Sequence, residues 1–125
     1  MRSKCLIIAL ALFVFSACSR VETVSPEQAR AMIESGGVIV VDIRDPKKFA
    51  DGHIKGAINA EYHPKTFARD TEQIDKNAAI ILYCSMGLKT KMAARELERH
   101  GFTRIYAMEG GIEAWMNAGF PVSGR

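Results

Sequence analysis

The chain has 125 residues, 48% of them hydrophobic and 25% charged, and a formal net charge of +3. Length and composition allow one ordinary globular core and no second domain, and the absence of repeats and low-complexity tracts excludes an array or a linker. Arg2 and Lys4 would leave with an N-terminal leader that holds no acid, so the body falls to +1, which excludes the basic footprint of a nucleic-acid-binding protein.

Arg2 and Lys4 precede an apolar run over residues 5–15. The run is shorter than the ~20 residues of a membrane span and has the length of a secretory h-region. Residues 1–18 are therefore expected to form a signal peptide. Phe15-Ser16-Ala17-Cys18 resembles the bacterial lipobox, usually Leu-Ala/Ser-Gly/Ala-Cys, with Phe15 in place of the leucine. That resemblance implies cleavage before Cys18, acylation of Cys18, and a lipoprotein on the periplasmic side of the bacterial envelope. An ordinary leader cut after Ser19, with Ala17 at the minus-three place, is the alternative. In the lipoprotein reading Cys5 is discarded and Cys18 acylated, so Cys84 is left as the sole free thiol and no internal disulfide can form.

Beyond the leader the pattern alternates strands and helices. Residues 21–24 read as a short strand, and Ser25-Pro26-Glu27-Gln28 as an N-cap, a first-position proline and a capping-box partner, opening a helix that runs to about Ser35. Gly36-Gly37 ends it. Val38-Ile39-Val40-Val41 is a continuous β-branched run of the kind buried on both faces of a parallel sheet, which puts Asp42 and Arg44 at its carboxyl end. A short helix at 46–50, a brief strand at 57–60 and a helix at 64–74 are predicted next. A second apolar strand at 79–83 follows, then a helix from Thr90 to about His100 stopped by Gly101, a strand at 103–107 and a helix at 111–118. Such alternation predicts an open parallel α/β sheet, which binds ligands beyond the carboxyl ends of its strands. Strand order does not follow from these patterns.

Cys84 ends the apolar run Ala79-Ile80-Ile81-Leu82-Tyr83 and opens the loop Ser85-Met86-Gly87-Leu88-Lys89, after which Thr90 starts the helix. Amide N–H groups of a tight loop and of a helix's first turn converge at such a place and favour a negative sulfur, a thiolate or a persulfide. Lowering a cysteine from ~8.5 by two pH units needs about 2.7 kcal/mol. One helix terminus supplies ~0.3–1, so several loop donors must act together. The alternative is a buried structural cysteine packed as a small hydrophobe.

Three blocks surround this cysteine in order. Upstream lie Val40-Val41-Asp42-Ile43-Arg44 and Gly52-His53-Ile54-Lys55-Gly56-Ala57-Ile58-Asn59; downstream lie Met108-Glu109-Gly110-Gly111-Ile112 and Trp115. Together they resemble the rhodanese, or thiosulfate sulfurtransferase, homology domain over residues 22–122. The resemblance implies a three-layer α/β/α domain with a five-stranded parallel sheet. It also implies a monomeric enzyme without cofactor or metal, whose catalytic Cys84 carries a sulfane sulfur from a small thiosulfate-like donor to cyanide or a thiol. Ser85, Met86, Gly87, Leu88, Lys89 and Thr90 would form the substrate-binding loop. Asp42 would hold that loop by hydrogen bonds, and Arg44 beside it would be structural.

The loop departs from the commonest family form, Cys-Arg-x-Gly-x-Arg-Ser/Thr: Ser85 and Lys89 replace the arginines, while Gly87 and Thr90 match. Lysine keeps a cation for an oxyanion but loses the bidentate fork. His53 invites a Cys–His dyad, yet a lone histidine between glycine and isoleucine is more often a hydrogen-bonded brace. His63 and His100 carry no pattern, and no Cys/His cluster has metal-ligand spacing. Two other classes stay open. A phosphatase or arsenate reductase of related fold requires Cys-x5-Arg, and this chain has Thr90 at the arginine. A rhodanese-like binding module, or a persulfide relay to one protein partner, is the other.

Overall fold

The computed structural model describes residues 20–124. Ten elements alternate along them. They are β1 (Val21–Val24), α1 (Pro26–Ser35), β2 (Val38–Asp42), α2 (Pro46–Asp51), β3 (Ile58–Asn59), α3 (Phe67–Asp70), β4 (Ala79–Tyr83), α4 (Thr90–Arg99), β5 (Arg104–Met108) and α5 (Gly111–Asn117). All strand pairs are parallel, in the order β1-β5-β4-β2-β3. β1 can pair with β5 alone, and β3 joins β2 only at Val41 and Asp42.

Strand β4 is central, and every one of its residues is buried. Because successive side chains point to opposite faces, Ile80 and Leu82 pack with Phe67, Ala93, Ala94 and Leu97 on the α3/α4 side. Ile81 and Tyr83 pack with Ala29, Ile112 and Trp115 on the α1/α5 side. These are the expected three layers. The capping box at Ser25 and Gln28 is present, with both bonds made.

One element differs in kind from its expectation. The helix expected over 64–74 shrinks to the four residues of α3. The Phe67 carbonyl accepts the last i→i+4 bond, from the Thr71 N–H at 3.1 Å, together with the Thr71 hydroxyl at 2.8 Å. Glu72 and Ile74 then close shorter turns on Arg69 and Thr71.

The register sets the site. Asp42 of β2 stands beside Tyr83 of β4, so the residues following both strands, Ile43 and Cys84, emerge together at the carboxyl edge of the sheet.

Candidate active site

Cys84 leaves β4 and the chain turns at once into the loop that enters α4. Its Sγ accepts the Gly87 N–H at 3.1 Å and the Thr90 hydroxyl at 3.0 Å. Burial pushes the thiol up; the Thr90 hydroxyl and the amides of Lys89, Gly87 and Met86 outweigh it, and the thiol falls below the ordinary cysteine value. The several donors required at this place are therefore assembled. Gly87 bends the loop with φ +91°, the left-handed region that favours glycine, and a Cβ there would lie 3.1 Å from Gly110 N.

The loop rests on the start of α5. Ile112 N–H donates to Cys84 O at 2.9 Å and Glu113 N–H to Ser85 O at 3.1 Å. Gly111 has φ +63°, and a Cβ on it would lie 2.5 Å from Cys84 O. Sequence reasoning quoted the Gly110-Gly111-Ile112 block without giving it this task. The signal was there in a pair of glycines directly between a strand and a helix, a place where backbone must approach backbone.

Beside the sulfur opens a cavity of about 310 Å³, bounded by Cys84, Ser85, Met86, Leu88 and Lys89 on the loop side. Arg44, Asp45 and Lys48 face it from the end of β2 and the start of α2, and Glu61, Tyr62 and His63 from the segment after β3. Lys48 lies 4.0 Å from Asp45, and His63 Nε2 lies 3.4 Å from Glu61. Lys89 has no ion-pair partner among the described residues. Lys48, Glu61 and His63 were not foreseen as cavity walls, because no periodicity marks a residue whose place depends on a turn.

Asp42 is fully buried, and its carboxylate is occupied by Arg44. Oδ1 accepts the Arg44 backbone N–H at 2.9 Å and Nε at 3.0 Å, and Oδ2 accepts Nη2 at 2.7 Å. Arg44 Nη2 also donates to Gly52 O at 2.7 Å. Burial works against the guanidinium charge, but the Asp42 pair outweighs it and raises its pKa. The carboxylate makes no hydrogen bond to residues 84–90, in contrast to the role the resemblance implied. It shapes the cavity wall through Arg44 instead. The Tyr83 hydroxyl in the same layer accepts the Ile54 N–H at 3.0 Å; burial, then the Asp42 charge, raises its pKa.

His53 is a brace. Its ring stacks on Phe49 at 3.8 Å, Nδ1 lies 2.7 Å from Phe49 O, and its backbone bridges Ser123. It does not line the cavity that Cys84 does. Trp115 is buried and donates from Nε1 to Pro121 O at 2.9 Å. Among the described residues no group of His, Cys, Asp or Glu has a metal-binding arrangement, and Cys84 is the one free cysteine. Cys18 lies outside the described residues.

A parallel α/β sheet that presents a hydrogen-bonded sulfur at the entry of a helix defines a class of thiol-bearing site. The Rhodanese-like domain family matches residues 25–118, and the chain belongs to that family. It is 38% identical over 103 residues to "Thiosulfate sulfurtransferase GlpE" of Ectopseudomonas mendocina, covering 82% of this chain and 91% of that one. Among solved structures it is similar to the BH2092 protein of Bacillus halodurans, with TM-score 0.73, 30% identity and coverage of 82% and 76% of the two chains. A Rhodopseudomonas palustris protein of unknown function, a possible tyrosine phosphatase, superposes with TM-score 0.68 and 31% identity over 84% of this chain and 86% of that one.

Proposed function

We propose that this protein is a sulfurtransferase working through a Cys84 persulfide. The Cys84 thiolate attacks the outer sulfur of thiosulfate or a similar donor. The sulfur–sulfur bond of the donor breaks, and sulfite leaves with the electron pair. Cyanide or a thiolate then attacks the outer persulfide sulfur, and Cys84 leaves as the thiolate again. No cofactor or metal enters either step. The observation that carries this reading is the pair of donors on Sγ, Gly87 N–H and the Thr90 hydroxyl. They meet an anion at that point both before and after transfer. The activity in the names of the relatives supports it.

Lys89, unpartnered at the cavity, is the group we assign to the sulfonate end of the donor. A phosphatase reading fits less well, because Thr90 stands where the phosphoryl-binding arginine would have to be and its hydroxyl is committed to the sulfur. The deciding experiment is the intact mass after thiosulfate treatment. A gain of one sulfur atom that cyanide removes, absent in Cys84→Ser, is the expected result; no gain in the parent would overturn the reading.

For location, we propose export and anchoring through acylated Cys18, with the domain acting as a monomer on the periplasmic side. No helix among the described residues is long and apolar enough to cross a membrane. Cys18→Ala should leave the protein unprocessed or release it from the membrane fraction; an unchanged distribution would refute lipidation there.

A further inference from the structure

The rim of the Cys84 cavity carries more than a small donor requires. Residues 85–95 contain no acid. Lys89, Lys91 and Arg95 are exposed in this stretch and have no ion-pair partner among the described residues. In the same stretch stand Met86, Leu88 and Met92, exposed to 57%, 77% and 51%.

Neither set of side chains serves the fold. Cations in a helix's first turn oppose its dipole, and Lys91 and Arg95, four apart on α4, repel each other. Single exposed apolar residues are ordinary. Three of them within ten residues of sequence that also carry three unpaired cations, beside a polarised thiol, form a patch of the kind that marks an interaction site. Met86 and Leu88 also line a second cleft, of about 180 Å³, reaching the carboxyl ends of β1 and β5 at Thr23 and Met108. The loop is thus a ridge between two clefts. Thiosulfate and cyanide use the sulfur-facing side of this ridge and need neither its exposed apolar side chains nor the second cleft.

We infer that the sulfur acceptor is a second protein, one that lays an acidic segment bearing apolar side chains across residues 86–95 and puts a cysteine thiol into the Cys84 cavity. This rests on the persulfide reading above. Charge complementarity names the partner's chemistry: unpaired Lys89, Lys91 and Arg95 call for carboxylates, and Met86, Leu88 and Met92 for apolar side chains. An anionic lipid surface has similar chemistry, but seated here it would close the cavity that opens at the same rim. In the transfer step the acceptor thiol loses its proton to solvent. Its thiolate forms a bond to the outer sulfur of the Cys84 persulfide, the persulfide sulfur–sulfur bond breaks, and Cys84 leaves as the thiolate. No oxidant is required.

The test offers the persulfide-loaded protein two synthetic cysteine peptides, one flanked by Asp, Glu and Leu, the other with Lys replacing each acid. Transfer to the acidic peptide is expected to be at least tenfold faster in kcat/KM, and the advantage to shrink with added salt. It should vanish in the double variant Lys91→Glu, Met92→Asp, both at exposed positions outside the sulfur-binding loop, while thiosulfate–cyanide turnover stays within twofold of the parent. Equal rates for the two peptides would overturn the inference, as would a preference the double variant leaves intact. Sedimentation with phosphatidylglycerol vesicles, lost in the double variant and unaccompanied by a peptide preference, would assign the strip to a membrane and overturn it too. Intact mass is read before any peptide is added. A chain that has gained no sulfur overturns the persulfide reading itself, which separates that failure from the others.

Discussion

The Thr90 hydroxyl lies 3.0 Å from the Cys84 sulfur, and both residues are buried. A threonine at the first position of α4 thus spends its side chain on the preceding strand's cysteine and not on its own helix. A hydrogen bond to a charged group is worth about 1.5–3 kcal/mol. Thr90→Val should therefore raise the pH midpoint of Cys84 alkylation by one unit or more, and Thr90→Ser should keep it near the parent. In the parent that midpoint should lie below the ~8.5 of a free cysteine. Equal midpoints in the valine variant and the parent would remove Thr90 from the account.

The same shift links ionisation to folding. The folded thiol ionises at a lower pH than the unfolded one. The thiolate therefore contributes stability that is complete above the unfolded value and lost as the pH falls through the folded one. Urea unfolding of parent and Cys84→Ser across that window should show the parent gaining on the variant as pH rises. A difference that stays constant with pH would contradict the depressed value.

Gly111 makes the loop possible by having no side chain. Gly111→Ala combines a left-handed φ, costing about 1–2 kcal/mol, with a Cβ placed 2.5 Å from Cys84 O. The variant is expected to lose most activity together with at least 2 kcal/mol of stability. A folded, fully active alanine variant would show that the loop is held by other means.

Breaking the Asp42–Arg44 pair should act through stability more than chemistry. Removing one partner of a buried pair typically costs about 3–5 kcal/mol, and Arg44 keeps only 9% of its side chain exposed. Asp42→Asn should lower the urea midpoint strongly, yet leave the Cys84 alkylation profile of the folded fraction in place. A shifted profile with unchanged stability would mean that Asp42 acts on the loop after all.

Lys89→Ala should raise the KM for thiosulfate more than it lowers kcat, because a contact to a non-reacting sulfonate contributes mainly uniform binding. Lys89→Arg should lower KM by restoring a bidentate partner. Identical thiosulfate kinetics in both variants would make Lys89 a surface residue and point to a donor that is not an oxyanion.

What could be read from the chain depended on how local the cause was. The run at residues 79–83 and the Ser25 capping box are decided by neighbouring side chains, and both appear where expected. The helix expected at 64–74 is cut to four residues because the backbone past Thr71 closes shorter turns, Glu72 on Arg69 and Ile74 on Thr71, a local choice that a periodic pattern does not weigh. Cys84 was legible because a strand, a loop and a helix start follow one another in sequence. His63 and Glu61 were not, since only the turn after β3 brings them to the cavity. Strand order was equally out of reach, as parallel neighbours are joined through crossovers whose length does not name the partner.

One feature of that order governs how the protein comes into being. β1 sits at an edge, and its only neighbour among the described residues is β5, more than eighty residues later in the chain. A ribosome working from the N-terminus therefore extrudes Val21–Val24 long before Arg104–Met108 exists to receive it. The sheet cannot close until synthesis has passed Met108, and its closure is a long-range, entropically slow event. A message truncated before residue 104 would yield a first strand with nothing to join.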